Sequence, residues 1–193
     1  MFEYILGKIS EITPTYLVID ASGIGYYIHI TLNTYSEFHN QKEVKLYVHQ
    51  VVREDAHLLY GFSSLKEREI FRMLISVSGV GPNTARMMLS SMSPDEIQKA
   101  IIEGNVNVLK NIKGIGAKSA QRVIVDLQDK IMKGVSDVQL LNIENNTIKN
   151  EALSALEILG FNKKQSEKVI DVLFSESPDI TVEELIKKAL KKL

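Results

Sequence analysis

Over the first 62 residues the apolar positions come in short runs rich in Val, Ile, Tyr and Thr, broken by turn residues at Thr13-Pro14, Ser22-Gly23 and the polar stretch Ser36 to Lys42. β-Branched and aromatic side chains pack well on a pleated surface, so these runs predict strands over 4–12, 15–21, 25–32, 44–52 and 58–60. Five strands in about sixty residues suit a small closed barrel of the OB type. From Ser63 the spacing lengthens to the helical period, with Ile70, Phe71, Leu74 and Ile75 apolar in a helix over 65–77. Ser93-Pro94-Asp95-Glu96 is a capping box with Pro in the first turn; Gly104-Asn105 stops that helix. Short helical spacing over 106–112 and a longer helix from Ala117 to Lys133 follow. Beyond Gly134, four asparagines, no aromatic residue and no clear period predict a flexible linker over 135–150 with at most a frayed helix, despite Val135, Val138, Leu140 and Leu141. Ala152, Ala155, Leu156 and Leu159 then share a helical face, Gly160-Phe161 breaks it, and Val169, Ile170 and Leu173 continue in a second helix. After Pro178, Thr181-Val182-Glu183-Glu184 caps a third, through Leu185, Ile186, Ala189 and Leu190.

One frame recurs within the helical segment. Leu, four residues, Gly-x-Gly, three residues, Ala is met by Leu74, Gly79, Gly81 and Ala85, and 35 residues later by Leu109, Gly114, Gly116 and Ala120. In each copy an apolar helix tail runs into Gly-apolar-Gly and a second helix starts at once, with Pro82 suited to a first helical turn. Each copy thus predicts a helix-hairpin-helix. Glycine permits a turn with positive φ and close approach of a ligand, while the apolar residue between the glycines (Val80, Ile115) pins the turn to its core. The free N–H groups of the following helix, aided by its dipole, form an anion site, and two such sites suit a nucleic-acid backbone rather than base edges. A single Gly-x-Gly is equally a plain turn between packed helices; two in one frame argue for phosphate. The expected contacts are Ser78, Gly79, Val80, Gly81 and Asn83 in the first hairpin, with Lys113, Gly114, Ile115, Gly116, Lys118, Ser119 and Arg122 in the second. Gly116-Ala117-Lys118-Ser119 resembles the end of a nucleotide-binding phosphate loop, but Ile112 and Ala117 stand where that motif needs glycine.

The fold expected is therefore α+β multidomain: an OB-fold β-barrel over 1–62, an all-α tandem helix-hairpin-helix domain over 63–134, the linker over 135–150, and a three-helix, UBA-like bundle over 151–193. Charge follows this division. Residues 1–62 carry 4 basic and 7 acidic side chains, residues 63–134 carry 11 and 7, and residues 135–193 carry 8 and 10, so only the hairpin segment is net positive, at +4. The barrel offers few basic or exposed aromatic candidates for a stacking surface, which favours a structural or assembly role for it.

No apolar run approaches the roughly 18 to 20 residues of a membrane span, and the N-terminus lacks a basic signal-peptide start, so a cytoplasmic location is expected. With no cysteine and no ligand spacing among His29, His39, His49 and His57, neither a metal nor another cofactor is expected. At the tip between the last two strands, Glu54 and Asp55 are either a solvated turn or a device that repels phosphate. A thin three-helix core at the C-terminus suits a partner-binding groove, with Leu156, Leu159, Gly160 and Phe161 as candidates for that groove or for the core. Asp95 invites comparison with the aspartate of hairpin-bearing glycosylases, but the first turn of a capped helix explains it more simply.

Four stretches carry a specific resemblance: 51–62 (Val-Val-Arg-Glu-Asp-Ala-His-Leu-Leu-Tyr-Gly-Phe), 77–82 (Val-Ser-Gly-Val-Gly-Pro), 114–127 from Gly-Ile-Gly to Ile-Val-Asp-Leu, and 155–161 from Ala-Leu to Leu-Gly-Phe. On these the chain resembles, end to end, the RuvA family of Holliday-junction-binding subunits. The resemblance implies a barrel domain that helps build a homotetramer, or an octamer of two facing tetramers on DNA, with paired hairpins gripping the four junction arms. It implies Glu54 and Asp55 as an acidic pin at the crossover, and a C-terminal domain that recruits the hexameric ATPase RuvB. A RuvC-type junction resolvase is left open as a further partner. The first hairpin departs from the family pattern at Asn83, where lysine is usual; the second departs at Lys113, where proline is usual, and at Ala117, where a basic residue is usual. A non-catalytic scaffold is thereby expected. The alternative, a nuclease or glycosylase that uses the hairpins as its grip, needs a carboxylate cluster, a catalytic lysine or a metal site that the spacing does not supply.

Overall fold

The short N-terminal runs close into a five-stranded barrel in the computed structural model, which describes residues 2–140, 144–177 and 180–193, with side chains described outside 133–147. The strands are β1 (Tyr4–Ile12), β2 (Tyr16–Ala21), β3 (Ile24–Ile30), β4 (Glu43–Val52) and β5 (His57–Phe62), in the order β1-β2-β3-β5-β4. All pairs are antiparallel except β3 with β5, where His29 faces Tyr60 and Ile30 faces Gly61. Successive side chains point to opposite faces, so Leu17, Ile19, Ile28, Ile30, Leu46 and Val48 fill the interior. Each such aliphatic side chain contributes about 1.5–3 kcal/mol on full burial.

Between β3 and β4 the chain departs from its predicted path. The pattern predicts a strand through Leu32 and a polar turn over Ser36 to Lys42; instead α1 (Leu32–Phe38) forms. Thr31 is its N-cap, accepting from the Thr34 amide at 3.0 Å, and Phe38 joins the barrel core. A seven-residue helix is too short to hold itself together, so tertiary packing decides it.

Helices α2 (Leu65–Ile75), α3 (Pro82–Ser91), α4 (Pro94–Ile102), α5 (Val106–Lys110) and α6 (Ala117–Leu140) follow. Two charged residues of α2 are buried where it packs on the barrel. Glu67, 1% exposed, accepts from the Thr31 hydroxyl at 2.5 Å, the Thr34 hydroxyl at 2.8 Å and the Ser63 amide at 3.3 Å. Burial pushes its carboxyl above the usual range, against the opposing pull of these donors. Arg68 donates to the Glu3 carbonyl at 2.8 Å and to the Glu3 carboxylate at 2.5 Å. The hairpin helices are thus tied to the barrel by polar contacts that its apolar pattern does not encode.

The chain divides into two compact units, Met1–Met132 and Lys133–Leu193. Within the expected linker 135–150, α6 continues to Leu140 and α7 (Glu144–Ile158) begins well before Glu151. A lone Gly134 costs about 1 kcal/mol against alanine in a helix and no proline follows it, so nothing in the chain enforces a stop. Leu141 and Pro178 lie outside the described residues. In the second unit α7 packs with α8 (Lys163–Glu176) and α9 (Val182–Ala189) around Ala152, Leu156, Ile170, Leu173, Leu185 and Ala189. Asn162 and Thr181 cap α8 and α9.

Candidate nucleic-acid interface

The two hairpins repeat each other bond for bond. In the first, the Val80 amide donates to Val77 at 3.0 Å, Gly79 turns with φ 89°, and the Ala85 amide donates to Gly81 at 2.9 Å. In the second, Ile115 donates to Ile112 at 3.0 Å, Gly114 turns with φ 91°, and Ala120 donates to Gly116 at 3.0 Å. Val80 and Ile115 are each 5% exposed, so the apolar residue does pin the turn to the core. Outward, the amides of Gly79, Gly81, Asn83 and Thr84, and those of Gly114, Gly116, Lys118 and Ser119, have no acceptor among the described residues. These are two rows of unspent donors at positive helix ends.

The way the helices are capped sharpens this. Thr31, Ser64, Ser93, Asn105, Asn162 and Thr181 each cap a helix with a side-chain acceptor. By contrast α3 starts at Gly81, with no side-chain cap, and α6 starts directly after Gly116. A Cβ added to Gly79, Gly81, Gly114 or Gly116 would meet nothing within 4 Å. At Gly79 and Gly114 the positive φ accounts for glycine. Gly81 is extended, at φ −84° and ψ 168°, and Gly116 lies outside the left-handed region, so nothing inside the molecule requires glycine there. What these two bare positions leave room for is an acceptor arriving from outside.

The charged candidates divide. Lys113 and Lys118 are exposed and pair with no carboxylate among the described residues. Arg122 instead reaches from α6 to the first hairpin, donating to the Ser78 carbonyl at 3.3 Å and approaching its hydroxyl at 3.4 Å. It joins the two loops while its charge stays at the surface. Asn83 accepts from the Tyr60 hydroxyl at 3.3 Å and so ties α3 to the barrel. Arg86, which the sequence pattern does not single out, donates to the Thr15 carbonyl at 2.9 Å and fixes the β1–β2 turn to the same helix. Ser119 is half-buried beside the free amides.

Glu54 and Asp55 project as their pattern predicts. The Arg53 amide donates to Ala56 at 2.9 Å to close the turn, and both carboxylates are exposed with no cation partner among the described residues. Asp95 pairs with Lys66 on the surface. No group of three or more His, Asp or Glu residues that could hold a metal occurs among the described residues, and no described helix is long and apolar enough to cross a membrane.

Of the candidates for groove or core, Leu156 falls in the core, fully buried and so not a partner contact, and Phe161 packs partly against it. Leu159 is exposed beside Gly160 (φ 94°), and Ile158, absent from the predicted set, is 86% exposed. By period Leu159 shares a helical face with Ala152 and Leu156, but α7 ends at Ile158 and Leu159 is left open. The barrel, expected to show few exposed aromatics, exposes Phe2, Tyr4 and Tyr27.

A small barrel followed by two pinned hairpins with free amides defines a class of protein built to bind a phosphate backbone. Three family models match in series: the RuvA N-terminal domain over residues 1–61, the SAM-like helix-hairpin-helix tandem over 71–129, and the RuvA C-terminal domain over 147–193. Relatives named Holliday junction branch migration complex subunit RuvA are 53% identical in Christiangramia forsetii, 49% in Flavobacterium psychrophilum and 48% in Bacteroides fragilis, each covering both chains in full. The chain belongs to the RuvA family.

Proposed function

We propose that this protein is a non-catalytic subunit that binds four-way junction DNA by its backbone and holds it for a branch-migration motor. The observation that carries the proposal is the pair of uncapped helix starts at Gly81 and Gly116, where side-chain capping is withheld and the space outside is open. Amides directed at phosphate carry no base information, so binding is structure-specific rather than sequence-specific. Lys113 and Lys118 add charge, and Ser78 and Arg122 set the distance between the loops. The names of the relatives support the junction as ligand and a complex as the working unit.

In this reading the barrel assembles four copies into a tetramer that works in the cytoplasm. Glu54 and Asp55 of each copy then gather at the crossover. There they repel phosphates of a continuous duplex laid across the centre while an open junction leaves a gap for them. Leu159 and Ile158 on the C-terminal unit give the RuvB-type ATPase an apolar contact. Labelled four-way junctions and matched duplexes, titrated with the pure protein at several salt concentrations, test this. Tighter binding to junctions of unrelated sequence is expected, with strands intact after incubation in magnesium. Incision of the junction, or equal affinity for duplex, overturns it.

A further inference from the structure

The outer face of β2 and β3 carries an aromatic ladder, Tyr16, Tyr27 and His29, that leads to Tyr60 of β5, itself buried against Phe71 of α2. Tyr16 stacks on Tyr27 with ring centroids 4.6 Å apart at 24°. Tyr27 meets His29 edge-on at 5.3 Å, and His29 meets Tyr60 at 5.4 Å. Tyr60 in turn donates to Asn83, whose amide belongs to the free row of the first hairpin. The ladder therefore begins in the open, with Tyr27 51% exposed, and ends at the candidate phosphate site.

Cross-strand aromatic pairs on a sheet contribute only a few tenths to about 1 kcal/mol, and that alone would account for Tyr16 over Tyr27. Three observations point further. The β2–β3 face and the β1–β2 loop are where OB barrels take oligonucleotides. Here Arg86 holds that loop, through Thr15, to the very helix whose start is uncapped. The charges also divide the labour: the Tyr16 hydroxyl donates to Glu11 at 2.5 Å, so a carboxylate flanks the outer end of the ladder, while the guanidinium of Arg86 lies toward the hairpin. A phosphate is disfavoured at the outer end and favoured at the inner one; an uncharged base is at home on the rings. Burial and Arg86 both hold the His29 imidazole below its usual pKa, keeping it a neutral ring at neutral pH.

We propose that Tyr27, backed by Tyr16 and His29, stacks an unpaired nucleobase whose backbone runs on to the first hairpin. The proposal rests on the reading of the hairpins as a backbone site. It gives the barrel a direct part in holding strands opened at the crossover, since a fully paired arm has no base to offer.

The test uses the full chain and a thymidine oligomer of about 15 nucleotides with a central 2-aminopurine, whose emission falls on stacking. The parent and Tyr27→Phe should quench the probe, whereas Tyr27→Ala should abolish quenching and weaken the oligomer roughly 5- to 150-fold. Gly116→Ser should weaken a fully paired junction, so failure of the phosphate reading shows in a different titration. Unchanged quenching and affinity in Tyr27→Ala overturn the proposal. So does a change in native mass with oligomer affinity intact, which would assign the face to a second copy of the chain.

Discussion

Serine at Gly116 should make the protein more stable and a worse binder at once. Serine is among the best N-cap residues, and its hydroxyl would accept from the same early amides of α6, Lys118 and Ser119, that are free in the parent. The backbone there lies outside the left-handed region and a new Cβ meets nothing within 4 Å, so the fold resists neither atom. Capping by serine rather than glycine gains a few tenths of a kcal/mol, and the loss of glycine's freedom in the unfolded chain gains about 0.4–1 kcal/mol. Together they raise Tm by about 1–5 °C for a chain of this size. Binding moves the other way. A hydrogen bond to a charged acceptor is worth about 1.5–3 kcal/mol, so an amide diverted to serine, with phosphate held off by the new side chain, weakens the second hairpin's contact roughly 10- to 150-fold. Thermal unfolding read by circular dichroism, beside junction anisotropy on the same preparations, measures both. Gly114→Ala is the contrast: at φ 91° it costs about 1–2 kcal/mol, so stability and binding fall together. Parent-like junction affinity in Gly116→Ser across a salt series would refute the idea that α6 binds phosphate by its bare amides.

Lys118→Ala should lower the slope of log affinity against log salt by about 0.9 for each phosphate that the lysine neutralises, equally for junctions of different sequence; a sequence-dependent change would reveal base readout. Glu54→Gln with Asp55→Asn should bind duplex better and junctions at least as well, because the carboxylates act on phosphates within a Debye length of roughly 8 Å; an unchanged junction-to-duplex ratio identifies a plain solvated turn. Leu156→Ala should cost about 2–5 kcal/mol of the second unit's stability, whereas Ile158→Asp with Leu159→Asp should leave unfolding unchanged and abolish stimulation of a RuvB-type motor. Undiminished stimulation would place the motor contact elsewhere. Burial raises the Glu67 carboxyl above its unfolded value, so its contribution to stability is full below the ordinary carboxylate pKa and is lost as pH rises through the raised one. Glu67→Gln should therefore gain in Tm relative to the parent as pH rises through that window; a pH-independent difference would mean that Glu67 does not titrate there.

The hairpins were legible because their determinants are local. Positive φ at Gly79 and Gly114, the inward Val80 and Ile115, and the spacing to Ala85 and Ala120 all lie within one turn and one helix start, and the 35-residue repeat marks them twice. Strand runs and side-chain caps are local in the same sense, which is why the barrel and most helix starts stand where period and capping residues put them. The projecting Glu54 and Asp55 follow from a hairpin with apolar strands on both sides.

Tertiary structure decided what depends on residues distant in the chain. Helix α1 exists because Glu67, more than thirty residues on, meets Thr31 and Thr34, and because Phe38 finds the barrel core. Arg122, an expected phosphate contact, also braces the first hairpin because folding brings Ser78 within reach across 44 residues of sequence. Tyr60 and Asn83 meet in the same way, and so do Arg86 and Thr15. On α7 the helical period could name the apolar residues but not the end of the packed face, which α8 and α9 set by covering Leu156 and leaving Ile158 and Leu159 open. Period and φ are properties of neighbouring residues; which side chain lies under another element is a property of the packed whole.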